Sequence, residues 1–257
     1  TPLYSSAASD VYKRQTFDPS AMDASFISVA AGTHGDVLLP DGSELAHTFW
    51  MGSDSMGRDV WSRVLYGTRI SLLVGIVTAI AAVLLGCVLG MLAGYFRAVD
   101  AVLMRVMDGI MAIPAVLLAI TLVAMFGASL PTVILAIAVP EIPRVTRLVR
   151  ALVMSLRDEP FVEAARALAT PDAIILWRDI LPNSLAPLIV QGTFIAASAI
   201  LTEAILSFLG LGLPADVPTW GNIMAEGRIQ FSQNPGNVLF PALFLVPTVL
   251  ALSLIHI

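Results

Sequence analysis

Long runs without a charged side chain dominate the chain, separated by shorter polar stretches. Ile70 to Phe96 is 27 residues. As a helix it is about 40 Å long at ~1.5 Å per residue, enough to cross a ~30 Å hydrocarbon core with some tilt. Gly109 to Pro140 is 32 residues and is interrupted by Phe-Gly-Ala-Ser-Leu-Pro from Phe126 to Pro131. That pattern predicts two antiparallel spans, 107–126 and 130–149, joined by a tight turn. Ile180 to Thr202 supplies a fourth span. From Ile229 onward only His256 is ionisable, which gives a fifth.

The polar stretches organise the rest. Residues 16–49 carry Asp18, Asp23, Asp36, Asp41 and Glu44 among Gly, Pro and Ser, and read as a solvated loop. The expected layout is an extracytoplasmic segment at 16–69 and a membrane domain at 70–252. Residues 1–15 and 253–257 are expected to be non-native ends, because their polar, patternless sequence resembles translated adapter tails. Within 70–96, Gly75, Ala79, Ala82, Gly86, Gly90 and Gly94 fall mostly three or four apart, so they share a helix face that lets another backbone approach closely. That face fits ordinary helix packing, a pore lining or a contact between subunits. Cys87 reads as a small buried hydrophobe. Pro114 is a kink point in the second span.

Composition sharpens the class. Hydrophobic residues make up 57% and charged residues 13%, against roughly 45–50% and about 25% in ordinary soluble domains. Mean hydropathy is +0.85. Such a chain is an integral membrane protein. One lysine (Lys13), three histidines and one cysteine exclude a disulfide framework, a Cys-rich zinc site and a phosphate-binding loop ending in Gly-Lys. A net charge of −5 without a basic, aromatic-rich cluster disfavours nucleic acid. Five spans put the two ends on opposite sides. Eight arginines (97, 105, 144, 147, 150, 157, 166 and 178) then fall on one side, and Arg58, Arg63, Arg69 and Arg228 on the other. The eight-arginine side is expected to be cytoplasmic, leaving 16–69 and 208–236 outside. Arg58, Arg63 and Arg69 strain that rule, with Asp54 and Asp59 nearby to offset them.

The polar connection 155–182 reads as two short helices. Asp158 or Glu159 can cap the first, and Pro160 suits its opening turn. Phe161, Ala164, Ala165 and Leu168 form an apolar stripe at helical spacing, and Glu163 can pair with Arg166. Thr170 and Pro171 restart the chain. Ile174, Trp177 and Leu181 share a face, and Pro182 is expected to close the second helix. The stripe needs a cover, either the ends of the spans or a soluble partner.

These residues carry a resemblance. Glu163-Ala164-Ala165, with Leu181 and Pro182 eighteen and nineteen residues after the glutamate, is similar to the EAA loop of ABC-importer permeases. Gly52 to Arg63 followed by Tyr66 to Ser71, and Glu203 to Gly212 followed by Pro218 to Gly221, resemble the C-type subunit of the dipeptide, oligopeptide and nickel group. The likeness covers residues 47–252. It implies an all-α polytopic fold, the transmembrane domain of a type I ABC importer, with five of an expected six transmembrane helices present. It implies import driven by separate ABC ATPase subunits that hold ATP and Mg, with no cofactor on this chain. A second, B-type permease subunit, an extracytoplasmic solute-binding protein and membrane lipid are the other implied partners, in a bacterial or archaeal plasma membrane. The ATPase-coupling residues it implies are Glu163, Ala164, Ala165, Arg166, Leu168, Ala169, Leu181 and Pro182. Ala169 stands where the family usually has glycine, and a left-handed turn there would cost alanine about 1–2 kcal/mol.

Other residues leave alternatives open. Glu141 and Glu203 lie in or near spans, where ionisable groups are costly and often functional. Each also fits a hydrogen-bonded structural carboxylate. Trp220 reads as an interface anchor. A proton-coupled secondary transporter would use Glu141 and Glu203, but no internal repeat accompanies them. An intramembrane serine protease would use Ser129, after Gly127-Ala128, with His256 as base.

Overall fold

A computed structural model describes residues 18–38 and 44–254. Residues 1–15 and His256 lie outside that range, whereas Ser253 and Leu254 complete the last helix. A hairpin of β1 (Thr33–Leu38) and β2 (Glu44–Phe49) precedes the helices. The helices are α1 (Val60–Tyr95), α2 (Arg97–Met111), α3 (Ala115–Phe126), α4 (Leu130–Leu156), α5 (Pro160–Ala167), α6 (Asp172–Phe208), α7 (Trp220–Gly227) and α8 (Gly236–Leu254). The chain forms two compact units, Thr1–Leu73 with Glu203–Thr248, and Val74–Thr202 with Val249–Ile257.

Among the described residues three helices, α1, α6 and α8, are long and apolar enough to cross a membrane, and α2 with α3 makes a fourth if that bent pair is one span. The expected span 107–126, with its kink point at Pro114, is corrected in its start and in the size of the bend. Helix α2 starts at Arg97, ten residues earlier, and the chain turns by 86° before α3. Pro114 is the cause, since its ring disfavours helical geometry at Ile113 and its own ψ of 130° keeps the chain extended at the N-cap of α3. Helix α4 has 27 residues, but it carries Glu141 near its middle and Arg144, Arg147 and Arg150 in its second half.

In the 74–202 unit, packing rests on absent side chains. A Cβ added to Gly86, Gly90 or Gly94 would lie 2.5, 2.6 or 2.6 Å from Cβ of Val145, Val149 or Val153 on α4. The spacing of four on both helices makes this one continuous seam. Gly75 meets α6 in the same way, its added Cβ falling 2.9 Å from the Ala196 carbonyl oxygen. Ordinary packing within the chain thus accounts for these four positions of the small-residue face. Cys87 is buried, as expected. Helix α2 is held to α4 by ion pairs of Arg147 with Asp108 and of Arg150 with Asp100. Ser129 caps α4, accepting from the Thr132 amide at 3.3 Å.

In the other unit the expected loop at 16–49 contains the hairpin instead, antiparallel, with Thr33 opposite Phe49 and Leu38 opposite Glu44. Val37 and Phe49 bury against Ala21, Phe26, Val29 and Leu45. Each strand buries one side chain, Val37 or Phe49, so the ribbon depends on packing one face against its neighbours. Asp59 caps α1, its Oδ2 accepting from the Ser62 amide at 2.9 Å and hydroxyl at 2.6 Å. Trp220 is 1% exposed and donates from Nε1 to the Val64 carbonyl at 3.2 Å, so it is a core residue and not an interface anchor.

Gly90→Val places a branched side chain on a backbone already in contact, and the two helices must part. It is expected to abolish the monodisperse, detergent-extracted protein seen on size-exclusion chromatography. Gly109→Ala, where an added Cβ meets nothing within 4 Å, is expected to leave that peak unchanged.

Candidate functional site: the 155–182 loop and its supports

Helix α5 opens as its sequence predicts, with Glu159 at the N-cap position and Pro160 in the first turn, although Glu159 makes no side-chain cap bond. The face it buries is not the predicted stripe. Val162 and Ala165 are buried, while Phe161, Ala164 and Leu168 are exposed, Leu168 at 82%. Val162 and Ala165 join Val153, Ile175, Leu176, Ile180 and Leu188 in one core cluster. Glu163 is exposed on the outward face with Ala164. The expected pairing of Glu163 with Arg166 does not form. Arg166 instead lies over the Tyr95 ring, 5.3 Å from its centroid.

The turn after α5 is the left-handed one. Ala169 has φ +56°, its amide donates to the Arg166 carbonyl at 2.9 Å, and the Thr170 amide donates to the Ala165 carbonyl at 3.1 Å. That pair of bonds is a Schellman closure, normally completed by glycine. Here it carries the steric penalty of a Cβ.

The second short helix does not end at Pro182. Asp172–Ile174 runs through a π-helical turn at Ile175–Ile180 into Leu181–Phe208 without a break. A π turn relieves the clash between a proline ring and the carbonyl four residues earlier. Nearby carbonyls gain side-chain donors: Asn183 Nδ2 donates to the Asp179 carbonyl at 2.6 Å and Ser184 Oγ to the Ile180 carbonyl at 3.1 Å. Leu181 is half-buried and Pro182 exposed. Ile174 and Trp177 are exposed, Trp177 at 63%, so the predicted apolar face points outward again. Trp177 and Leu181 border a groove of about 500 Å3 lined by α1, α6 and Leu252 of α8, with no charged side chain in its wall.

Three contacts fasten this loop and its neighbours, and the sequence alone did not disclose them. Tyr95 hydroxyl donates to Asp172 Oδ1. Arg157 Nη1 donates to the Gly94 carbonyl at 3.2 Å. Arg150 forks onto both oxygens of Asp100, with Nη2 to Oδ2 at 2.7 Å.

Asp54, Arg58 and Arg63 of the first family-like stretch meet Glu226, five residues beyond the second, in a second polar cluster. Asp54 Oδ2 accepts from Arg58 Nε at 2.7 Å and from Arg63 Nη1 at 2.9 Å. Glu226 accepts from Arg58 Nη2 at 2.6 Å and from Arg63 Nη2 at 3.3 Å. Two arginines and two acids therefore cancel in a largely buried site, so Glu226 joins Asp54 as the counter-charge in place of the expected Asp59. Burial pushes the Glu226 carboxyl above its ordinary value, against the opposing pull of Arg63 and Arg58. Glu203 is fully buried, and its Oε1 accepts from Ser207 Oγ at 2.7 Å and Thr219 Oγ1 at 3.0 Å. Glu141 is held by Arg144 Nη1 at 3.0 and 3.2 Å. Glu141 is paired through both oxygens, whereas Glu203 bonds through Oε1 alone and its buried Oε2 has no hydrogen-bond partner among the described residues.

The class of protein comes from comparison with known proteins. Residues 82–257 match the family described as binding-protein-dependent transport system inner membrane component, and the chain belongs to it. It is 48% identical over 225 residues to a probable peptide ABC transporter permease of Sinorhizobium fredii, covering 86% of this chain and 77% of that one. It is 43% identical to a dipeptide transport system permease of Alkalihalophilus pseudofirmus, covering 80% and 68%. It is 40% identical to a glutathione transport system permease of Pectobacterium atrosepticum, covering 84% and 72%. The fold is similar to a solved structure of an inward-facing methionine ABC transporter, with a TM-score of 0.60 at 18% identity, covering 75% of this chain and 92% of that one. The chain is an ABC-importer permease subunit and not an enzyme; ATP hydrolysis belongs to a partner. The protease and secondary-transporter alternatives find no support.

Two substitutions probe these supports. Ala169→Gly is expected to stabilise by about 1 kcal/mol, read as a raised unfolding midpoint of the purified protein. Arg63→Ala leaves Asp54 and Glu226 short of a cation and is expected to cost about 3 kcal/mol, read as a lowered midpoint in the same assay.

Proposed function

We propose that this chain forms, with a second B-type permease subunit, the membrane path for peptides or related small solutes. A solute-binding protein delivers them to an outer face made by 16–69 and 208–236. The 155–182 loop lies on the cytoplasmic side and seats α5 in a groove of an ABC ATPase. ATP and Mg act there and not on this chain. Closure of the ATPase pair moves the seated loops, and the spans alternate between outward and inward openness.

The observation that carries this reading is the division of α5 into a buried and a free face. Val162 and Ala165 fix the helix from beneath, while Glu163, Ala164 and Leu168 stand clear. Glu163 offers a charged acceptor with no ion pair among the described residues. Ala164 leaves room for a close partner surface. Exposed Phe161, Ile174 and Trp177 widen the apolar rim, and such a rim favours a protein partner over water. Ala165 serves from the inside, allowing α5 to lie close on the π turn. Arg166, Ala169, Leu181 and Pro182 shape the loop around that face. All eight arginines of the expected inner side fall in the 74–202 unit with it, which favours a cytoplasmic position. The relatives named for peptides, dipeptides and glutathione point to short peptide-like solutes.

Glu163→Arg is expected to abolish co-purification of the ATPase subunit and uptake of a labelled dipeptide by cells carrying the whole importer. Wild-type values for both would overturn the docking assignment.

A further inference from the structure

We infer that Tyr95 is a positioning residue that carries movement of the 155–182 loop into α1. This rests on the docking reading above and adds a route within the subunit. Tyr95 is the last residue of α1. Its hydroxyl donates to Asp172, the first residue of α6, and its ring face lies under the Arg166 guanidinium of α5. Arg166 and Asp172 sit three residues before and three after Ala169, the left-handed residue of the turn. One side chain therefore grips both arms of that turn. The rest of its ring packs against the core cluster that contains Val162, Ala165 and Ile175.

The chemistry suits a phenol. It offers an O–H donor to a carboxylate and an electron-rich face to a cation. Phenylalanine keeps the second contact and loses the first. The far end of the strut is equally well fixed. Gly94, the preceding residue, abuts Val153 so closely that an added Cβ would lie 2.6 Å from its Cβ, and Arg157 holds the Gly94 carbonyl. Immediately beyond, Phe96 is extended, with φ −107° and ψ 111°, and α1 ends. A push on α5 therefore reaches, through Tyr95, the point where α1 is clamped to α4. The turn itself is a poor lever, because Ala169 occupies a backbone region that alanine readily leaves.

The test uses the importer complex purified with its permease and ATPase partners, with hydrogen–deuterium exchange read before and after trapping with ATP and orthovanadate. In the wild type, trapping is expected to change protection at 160–172 and at 86–96 together. In Tyr95→Phe the change at 160–172 is expected to remain and the change at 86–96 to be lost. Ala169→Gly in the Tyr95→Phe background supplies the control for a merely structural role. It is expected to restore the thermal midpoint while leaving the 86–96 response absent. A full 86–96 response in Tyr95→Phe overturns the inference, and so does its return together with stability in the double variant. Absence of any trapping response at 160–172 in the wild type overturns the docking reading itself, and the inference with it.

Discussion

The near-contact of the α1 backbone with α4 decides where most of the 74–202 unit can stand. Lipid tails offer little hydrophobic drive for two apolar helices to associate, so van der Waals fit has to do so. Gly86, Gly90 and Gly94 supply that fit by presenting backbone to Val145, Val149 and Val153. With that face of α4 occupied, Arg147 and Arg150 turn to the acids of α2, while Arg157, at the C-cap, closes the seam onto the Gly94 carbonyl. The same seam fixes Gly94, and so the foot of the loop supports. A large residue on either side would therefore disturb the loop as well as the spans.

The spans were legible because charge-free runs of sufficient length leave few other choices. The 86° bend was legible only as a kink point at Pro114. Its size depends on α2, whose Asp100 and Asp108 are drawn to Arg150 and Arg147 of α4, a tertiary fact that a local pattern does not contain. The β1–β2 hairpin was missed because its strands are short and carry Gly35, Asp36 and Glu44, which usually mark loops. Pro182 misled for a related reason. Proline stops a regular helix, but the π turn before it lets α6 continue.

At the loop, the left-handed turn was readable from a single position, because alanine stood where the resemblance called for glycine. Which face of α5 is buried was not readable. Over eight residues, Val162 with Ala165 satisfies helical spacing as well as Phe161 with Ala164, Ala165 and Leu168 does. Only the core beneath, with Ile175 and Ile180, decides between them. Tyr95 carried no pattern at all. It lies more than sixty residues before the groups it touches, at the end of a helix that reads as plain membrane span.

The quartet of Asp54, Arg58, Arg63 and Glu226 bears on how such a protein is built into a membrane. Carrying one elementary charge through a 100 mV potential takes about 2.3 kcal/mol of electrical work. In the proposed orientation, Arg58 and Arg63 must both reach the outer side against that field. Asp54 and Glu226 finish on the same side with the opposite sign, so their electrical work cancels that of the two arginines and the finished cluster carries no net electrical cargo. Biogenesis can then place two cations on the far side of the bilayer without the membrane voltage opposing the result.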